Sequence, residues 1–380
     1  MPGKTADIIV IGAGIAGASV AAHLAESYRV VMLERETQPG YHSTGRSAAL
    51  FSETYGNAAI QALTRAGRAY YESRAGGLSN YPILTPRGAL IFAMPDQQAL
   101  LDASWAELSP QHPTLQRLDV RETCALVPVL RRDKVVGSIY APEEMDIDVH
   151  ALHSAYLRRF RQRGGRIVTD APVTAVTRHG GGWNATTPAG DFAATIVVNA
   201  AGAWADEVAA LAGLPPLGLV PKRRTVLIVA APPEVAIERW PVAIDAAETG
   251  YFKPEAGKLL VSPADETPVP PCDIQPDEID VAIAIERLHE RTTIAVRHVE
   301  RKWAGLRSFV ADRTPVIGFD PFTHGFFWLA GQGGYGIQTA EGIAKCAAGL
   351  IIERRLPVDI AALGLDAAVL SPARFNRVQI

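Results

Sequence analysis

The 380-residue sequence predicts an α/β protein, in which a parallel sheet flanked by helices interlocks with a second, α+β unit built on a mainly antiparallel sheet. Three observations carry this reading. The length exceeds what one small core needs and suits two units. Residues 7–34 run as apolar strand, glycine-punctuated turn, alanine-rich helix and second apolar strand. Two later blocks set short β-branched strands close together with turns between them, the pattern of antiparallel pairing.

In the opening unit, Asp7 to Ile11 is a buried strand by its length and β-branching. Gly12, Gly14 and Gly17 come next as G-x-G-x-x-G, and Ile15 to Ser27 reads as a helix. The strand Arg29 to Leu33 then ends in Glu34. Gly12 permits the tight turn, Gly14 lets the backbone approach a pyrophosphate, and Gly17 lets the helix lie close on the strand. The helix start offers N–H groups and a positive dipole end to phosphates. Glu34 is placed to accept from an adenosine ribose. Strand, glycines, helix, strand and acid in this order mark a Rossmann-type dinucleotide unit.

The segment after Glu34 separates the two dinucleotides that such a unit serves. Arg35 and Glu36 come first, then a small, polar, glycine-punctuated stretch from Gln38 to Ala49 that leads to Tyr55 and Gly56. An NAD domain places another apolar strand sooner. A loop of Ser, Thr and Gly suits a backbone wrapped around an extended cofactor, with N–H and hydroxyl groups on the ribityl chain and isoalloxazine. The expected cofactor is FAD.

Bulk properties narrow the class further. Hydrophobic residues at 48% and charged residues at 20% describe an ordinary globular protein. A net charge of −3 gives no electrostatic case for nucleic acid. The basic cluster of Arg158, Arg159, Arg161, Arg163 and Arg166 reads as the solvated side of a helix whose apolar face is Val149, Leu152, Tyr156, Leu157 and Phe160. No apolar run reaches the length of a membrane span. The stretch Ile8 to Val20 carries three glycines and no cleavage pattern, so it is not a signal peptide. Cys124, Cys272 and Cys346 lie far apart, which fits neither a disulfide framework nor a metal site and suits a reducing compartment. The expected location is the cytoplasm, with a peripheral place at the inner membrane face compatible with a quinone acceptor.

Further along, strands are expected near Arg166–Thr169, Pro172–Thr177, Trp183–Thr187 and, as one unit, Phe192–Asn199. The block from Pro221 to Lys302 carries strands at Thr225–Ala230, Gly250–Lys253 and Lys258–Ser262, then a helix near Asp277–Leu288. Phe326 to Ala330 is a strand, and Gly331, Gly333, Gly334 and Gly336 open a helix to about Glu353. The cofactor domain is therefore expected to be discontinuous, at 1–80, 148–220 and 303–380. The substrate domain takes 81–147 and 221–302.

Several strings are specific enough to carry a resemblance. They include Gln38-Pro39-Gly40-Tyr41-His42-Ser43-Thr44-Gly45-Arg46-Ser47-Ala48-Ala49, Val198-Asn199-Ala200-Ala201-Gly202-Ala203-Trp204, Pro221-Lys222-Arg223-Arg224, Trp303-Ala304-Gly305-Leu306-Arg307-Ser308-Phe309 and Gln332-Gly333-Gly334-Tyr335-Gly336-Ile337-Gln338-Thr339. On these the chain resembles the D-amino-acid oxidase and glycine oxidase family of flavoproteins, and within it the bacterial FAD-dependent D-arginine dehydrogenases.

The resemblance implies FAD contacts from Gly12, Gly14, Ile15, Ala16 and Gly17, from Glu34 and Arg35, and from His42, Ser43, Thr44, Arg46, Ser47 and Ala48. It adds Val173, Ala201, Gly202 and Trp204, and, beside the flavin ring, Arg307, Gly333, Gly334, Tyr335, Gly336, Ile337 and Gln338. His42 is expected to serve as a structural hydrogen-bonding group. The stretch from Val316 to Phe322 lacks the cysteine that tethers flavin in sarcosine oxidases, so the FAD is expected to be non-covalent.

The implied chemistry is hydride transfer from an amine-bearing α-carbon to flavin N5, which needs a held substrate and a neutral amine. Arg307 and Arg224 match the carboxylate anchors, a task for which the rigid guanidinium fork is suited. Tyr55 and Tyr251 match active-site tyrosines, and Gly334 and Gln338 lie beside the substrate amine. The product would be an imino acid that hydrolyses to a 2-oxo acid and ammonia. Oxygen and a quinone both stay open as acceptor, and the resemblance favours a dehydrogenase.

Two positions depart from the arginine dehydrogenases. Ala89 stands where they carry a glutamate facing the substrate guanidinium, and Leu50 stands where they carry a histidine. An unpaired buried cation is costly, so a neutral or hydrophobic D-amino acid is expected instead. Glu53 is the residue that would restore the charge. Glycine, an N-methyl amino acid or a 2-hydroxy acid are the competing substrates, and a flavin-bearing protein without turnover is the competing class.

Overall fold

The computed structural model describes residues 4–375. The outermost residues of the first and last expected segments, 1–3 and 376–380, lie outside the described residues. The architecture is the expected mixed α/β one. Its centre is a six-stranded sheet in the order Arg166–Val168, Val30–Leu33, Ile8–Ile11, Ile196–Asn199, Phe326–Ala330, Val316–Phe319. All neighbours are parallel except the last pair.

Residue type explains why this sheet is central. Its inner strands are apolar at nearly every position, so both faces must be covered. Alternate residues point to opposite sides. Ile8, Val10, Val30, Met32, Val198, Phe327 and Leu329 face the helices Ile15–Leu24, Val149–Gln162 and Ala340–Ile352. Ile9, Ile11, Val31, Leu33, Val197, Phe326 and Trp328 face Trp183, Phe192 and the helix Ala205–Leu211. Each large aliphatic side chain buried this way contributes about 1.5–3 kcal/mol.

The expected strand Phe192–Asn199 is two strands. Gly190–Ala194 pairs with Gly182–Thr187 in a small antiparallel sheet, and Ile196–Asn199 pairs with Ile8–Ile11. Thr195 makes the crossing, and its N–H and hydroxyl both donate to the Asp7 carbonyl. The run is almost uniformly apolar or small, so periodicity gives no sign of the break. The expected strand Pro172–Thr177 starts later, at Ala175, and the first helix ends at Leu24 rather than Ser27. The basic cluster is only partly solvated. Arg158 donates to the Leu78 carbonyl, and Arg163 donates to the Ala22 carbonyl and pairs with Glu26.

The second sheet has eight strands, in the order Arg301–Phe309, Val220–Val229, Lys258–Ser262, Tyr251–Glu255, Val242–Asp245, Ala89–Ala93, Gly137–Ala141, Gln116–Leu118. Every pairing is antiparallel except that of Val242–Asp245 with Ala89–Ala93. The helix Glu278–Arg291 packs on one side, started by Asp277, whose carboxylate accepts from the Ile279 N–H. The helix Gln98–Leu108 packs on the other side. No helix among the described residues is long and apolar enough to cross a membrane.

The helix Ala340–Ile352 carries a buried carboxylate into the core beside the six-stranded sheet. Glu341, 2% exposed, accepts from the Tyr156 hydroxyl at 2.9 Å and lies 3.2 Å from His23 Nε2. Burial opposes its ionisation, yet the hydrogen bond and charge of His23, with Tyr156, hold its pKa below the ordinary value. A lowered carboxyl contributes stability above its unfolded pKa and loses it as pH falls through the folded one. Glu341→Ala is expected to cost about 3 kcal/mol in urea unfolding at neutral pH. That deficit should shrink on acidification, and a deficit independent of pH would contradict the ionised assignment.

Candidate active site

A single cavity of about 1130 Å³ runs from the glycine turn of the first strand to the face of the eight-stranded sheet. At its first end, the Glu34 carboxylate accepts from Ala13 N–H at 2.8 Å and from Glu36 N–H at 3.0 Å. These bonds hold the acid against the strand end that precedes the helix. Gly12 has φ +101°, and a Cβ there would lie 2.5 Å from the Ala200 carbonyl oxygen. A Cβ at Gly17 would lie 1.9 Å from the Gly12 oxygen, so this glycine allows the helix to touch the turn. Ile15 N–H donates to Thr44 Oγ1 at 2.9 Å, which ties the Ser-Thr loop to the helix start.

That loop is fastened to the second sheet as well. Ser43 donates to the Leu306 carbonyl at 2.8 Å, Arg46 donates to the carbonyls of Ile274 and Ala304, and Trp303 Nε1 donates to the Arg46 carbonyl. His42 Nε2 lies 2.9 Å from Glu36 Oε1, and its ring packs against Trp204, over which Arg35 also stacks.

At the other end, strand register builds an anion site. Arg224 pairs with Gly305, and Lys222 with Arg307, across two long antiparallel strands. Arg224 and Arg307 are thus diagonal neighbours on one face. The Tyr55 and Tyr251 phenols act on the Arg307 guanidinium, and Arg224 acts with it on Tyr251. Burial, then the charge of Arg307, lowers the pKa of Arg224. Burial opposes the Arg307 charge too, but the phenols of Tyr55 and Tyr251 raise its pKa above the ordinary value. Burial likewise opposes ionisation of Tyr251, yet the two guanidiniums pull its pKa below the ordinary tyrosine value. Among the described residues no carboxylate pairs with Arg307. A Cβ at Gly334 would lie 2.7 Å from Arg307 Nη1, so a side chain there would displace the guanidinium.

All the expected cofactor and catalytic residues line this cavity except Gly17, whose place is the helix–turn contact. Gln338 reaches the wall, and its amide nitrogen donates to the Ser52 carbonyl and Thr64 Oγ1. The helix Ala340–Ile352 starts one turn after Gly336. Tyr71 donates to the Ile337 carbonyl and pins the intervening turn. Glu53 is paired with Arg68 at 2.6 Å and is not on the cavity wall.

Sequence reasoning missed Glu266, Arg313 and Glu144. Glu266 pairs with Arg313 at 2.8 Å and Lys222 at 2.8 Å beside Arg224, and the hydrogen bond from Arg313 is the main reason its pKa falls to about 2. Glu144, 4% exposed, accepts from Thr54 at 2.9 Å and so anchors the segment that carries Tyr55. None of these lies in a recognisable motif. Only the basic run at Lys222–Arg224 hints that a carboxylate must be near.

The cavity fits a polar, elongated dinucleotide. His42 Nδ1 and Gln332 Nε2 are buried on its wall with no hydrogen-bond partner among the described residues. Such groups call for a ligand with polar atoms along its length. Fold and site together define a flavoprotein oxidoreductase. Residues 7–350 match the family model described as FAD dependent oxidoreductase, and the chain belongs to that DAO family, with FAD as its cofactor.

Rat mitochondrial dimethylglycine dehydrogenase is 26% identical over 93% of the chain. The chain spans only 44% of that relative's length. Glycine oxidase of Geobacillus kaustophilus is 24% identical, covering 94% of this chain and 96% of the other. The solved structure of glycine oxidase from that organism superposes with a TM-score of 0.82 at 23% identity, over 98% of this chain and 99% of that one. L-proline dehydrogenase from P. horikoshii superposes with a TM-score of 0.80 at 20% identity, over 98% of both chains.

Two variants probe this geometry. Glu34→Ala leaves the buried Ala13 N–H and the partly buried Glu36 N–H unpaired and is expected to weaken FAD binding about 30-fold, or ~2 kcal/mol. Flavin retention on dialysis measures it, and unchanged retention would remove Glu34 from the cofactor contacts. Burial pushes the Glu144 carboxyl up to about 7. In the unfolded chain it ionises at the ordinary value, so the fold loses stability as pH rises between the two. Glu144→Gln should therefore raise Tm relative to the parent near pH ~8 and leave it unchanged near pH ~4.

Proposed function

We propose that the chain oxidises the α-carbon–nitrogen bond of a D-amino acid with a neutral or apolar side chain. The α-carbon loses a hydride and the nitrogen a proton. The resulting imino acid takes up water to give a 2-oxo acid and ammonia. The observation that carries this reading is the Arg307–Arg224 pair, flanked by two tyrosines and without a carboxylate for Arg307. FAD, when bound, supplies the two-electron oxidant.

The chain's own residues do the rest. Arg307 holds the substrate carboxylate by two parallel hydrogen bonds, and Arg224 adds charge from the neighbouring strand. The Tyr55 and Tyr251 hydroxyls orient the same group and close the pocket with their rings. The Gly334 carbonyl accepts from the amine. Glu266 is held ionised by Arg313 and Lys222 and is a poor proton acceptor. The amine therefore gives its proton to solvent on entry, and kcat/KM should rise with pH toward the amine's own pKa.

Side-chain preference comes from the wall. Ala89 and Leu50 both line the cavity where the arginine dehydrogenases carry a glutamate and a histidine, and Glu53 is committed to Arg68. A D-configured substrate rests on the resemblance to the D-amino-acid oxidases. A second reading, oxidation of glycine or an N-methylated amino acid, draws support from the relatives that act on dimethylglycine and glycine.

The test is anaerobic addition of D- and L-amino acids, N-methyl amino acids and 2-hydroxy acids to the holoenzyme, following flavin absorbance. Bleaching by neutral D-amino acids ahead of D-arginine and D-lysine is expected. Preference for N-methyl amino acids would move the second reading to the front. Arg307→Lys keeps the charge but loses the fork, and should lower kcat/KM about 100-fold, or ~2.7 kcal/mol.

A further inference from the structure

We infer that the cavity continues past the carboxylate site as an apolar lobe under the helix Gln98–Leu108, and that this lobe takes a large apolar side chain, aryl or long alkyl. The inference rests on the reading of the site as one for an amino acid and names its substrate class.

Strand register lays out the floor. Tyr251 stands opposite Ile244, Ile244 opposite Ile91, and Ile91 opposite Ile139. These directly paired residues share one face of the sheet. Three strand spacings separate Tyr251 from Ile139, roughly 14 Å at about 4.8 Å per strand. The next row is Val242, Ala89 and Ala141, again directly paired and on the same face. Two adjacent alanines leave a hollow there, because branched side chains on both sides stand higher.

The roof comes from a different part of the chain. Leu108 ends the helix, Leu115 comes in the next turn, and both line the same cavity. Ser104 and the exposed Glu107 form the outer end. Leu50 closes the side nearest the cofactor loop.

Charge excludes the other side-chain classes. Lys253 lies on the alanine row, and its ammonium is taken by Asp146 at 2.7 Å and Glu255 at 3.2 Å. Arg87 pairs with Asp146 at 2.6 Å from the other side. An acidic side chain finds no unpaired cation, and the carboxylates without an ion-pair partner that a basic one could meet are the exposed Glu107 and Glu248, not on the alanine row. A methyl side chain would leave most of the stripe bare, whereas a phenyl or long alkyl group covers it and gains by that burial. Alanine and phenylalanine therefore probe the lobe directly.

The experiment uses the holoenzyme and measures kcat/KM for alanine, leucine, phenylalanine and tryptophan of whichever enantiomer reduces the flavin. From alanine to phenylalanine the value is expected to rise about 100-fold. Ala141→Phe and Ala89→Leu fill the hollow, and each should lower the phenylalanine-to-alanine ratio about 30-fold, chiefly through KM. Leu115→Ala changes the roof in the opposite sense and should raise the ratio of tryptophan to phenylalanine, which keeps the test alive if a filled variant does not fold. Retained flavin absorbance qualifies each variant for comparison. A parent enzyme that prefers alanine or arginine to phenylalanine overturns the inference, as does a ratio unmoved in flavin-loaded variants. A preference for alanine, or an unmoved ratio, leaves the functional reading standing, whereas a preference for arginine removes its neutral side chain as well. Failure of every amino acid to reduce the flavin overturns that reading itself.

Discussion

Two guanidinium groups sharing one cavity wall constrain the rest of this structure. Like charges on diagonal positions of neighbouring strands repel, and the surrounding low dielectric strengthens that repulsion. The chain meets it without neutralising the pair. Arg224 donates to the Asp265 carbonyl and lies 3.5 Å from Glu266, whose charge is already divided with Arg313 and Lys222. Arg307 is left with the phenols of Tyr55 and Tyr251, which favour its charge without pairing it. The wall is therefore preorganised for an anion, with its donors in place before any ligand arrives. The glycine turn lies close against it, since a Cβ at Gly334 would meet the Arg307 guanidinium.

How much of the molecule is legible in the sequence depends on how local each signal is. The G-x-G-x-x-G turn and Glu34 are read from spacing alone, because a βαβ unit is one contiguous structure. Arg307, Arg224, Tyr55 and Tyr251 come from distant segments and are found only through the resemblance. Glu144 and Glu266 are invisible, since an acid in a loop carries no pattern until the fold brings Thr54 or Arg313 to it. The lobe under the helix Gln98–Leu108 is equally hidden. Ala89 reads as a missing charge, but its pairing with Ala141 is a matter of strand register. The break at Thr195 escapes because both flanking strands are apolar, and only their different neighbours tell them apart.

The two sheets are not independent modules that happen to touch. The loop after Glu34 is bonded at once to the first helix through Thr44 and to the edge strand Arg301–Phe309 through Ser43 and Arg46. Asp273, in the loop before the helix Glu278–Arg291, pairs with Arg46, and Tyr41 donates to the same carboxylate. A change in the relative placement of the sheets would therefore distort the cofactor cradle before it reached the substrate pocket.

The same stitching sets an order of events during synthesis. The cradle begins at Gly12, but its flavin end is completed by Gly305, Leu306 and the turn from Gln332 to Gln338. A nascent chain leaving the ribosome exposes the glycine turn and Glu34 early, yet lacks the wall against which the ring must lie until Gln338 has been released. Loading of the cofactor is then a late step, taken when the two ends of the cradle can meet. Chains truncated before the strand Phe326–Ala330 would keep the diagnostic motif and still emerge colourless.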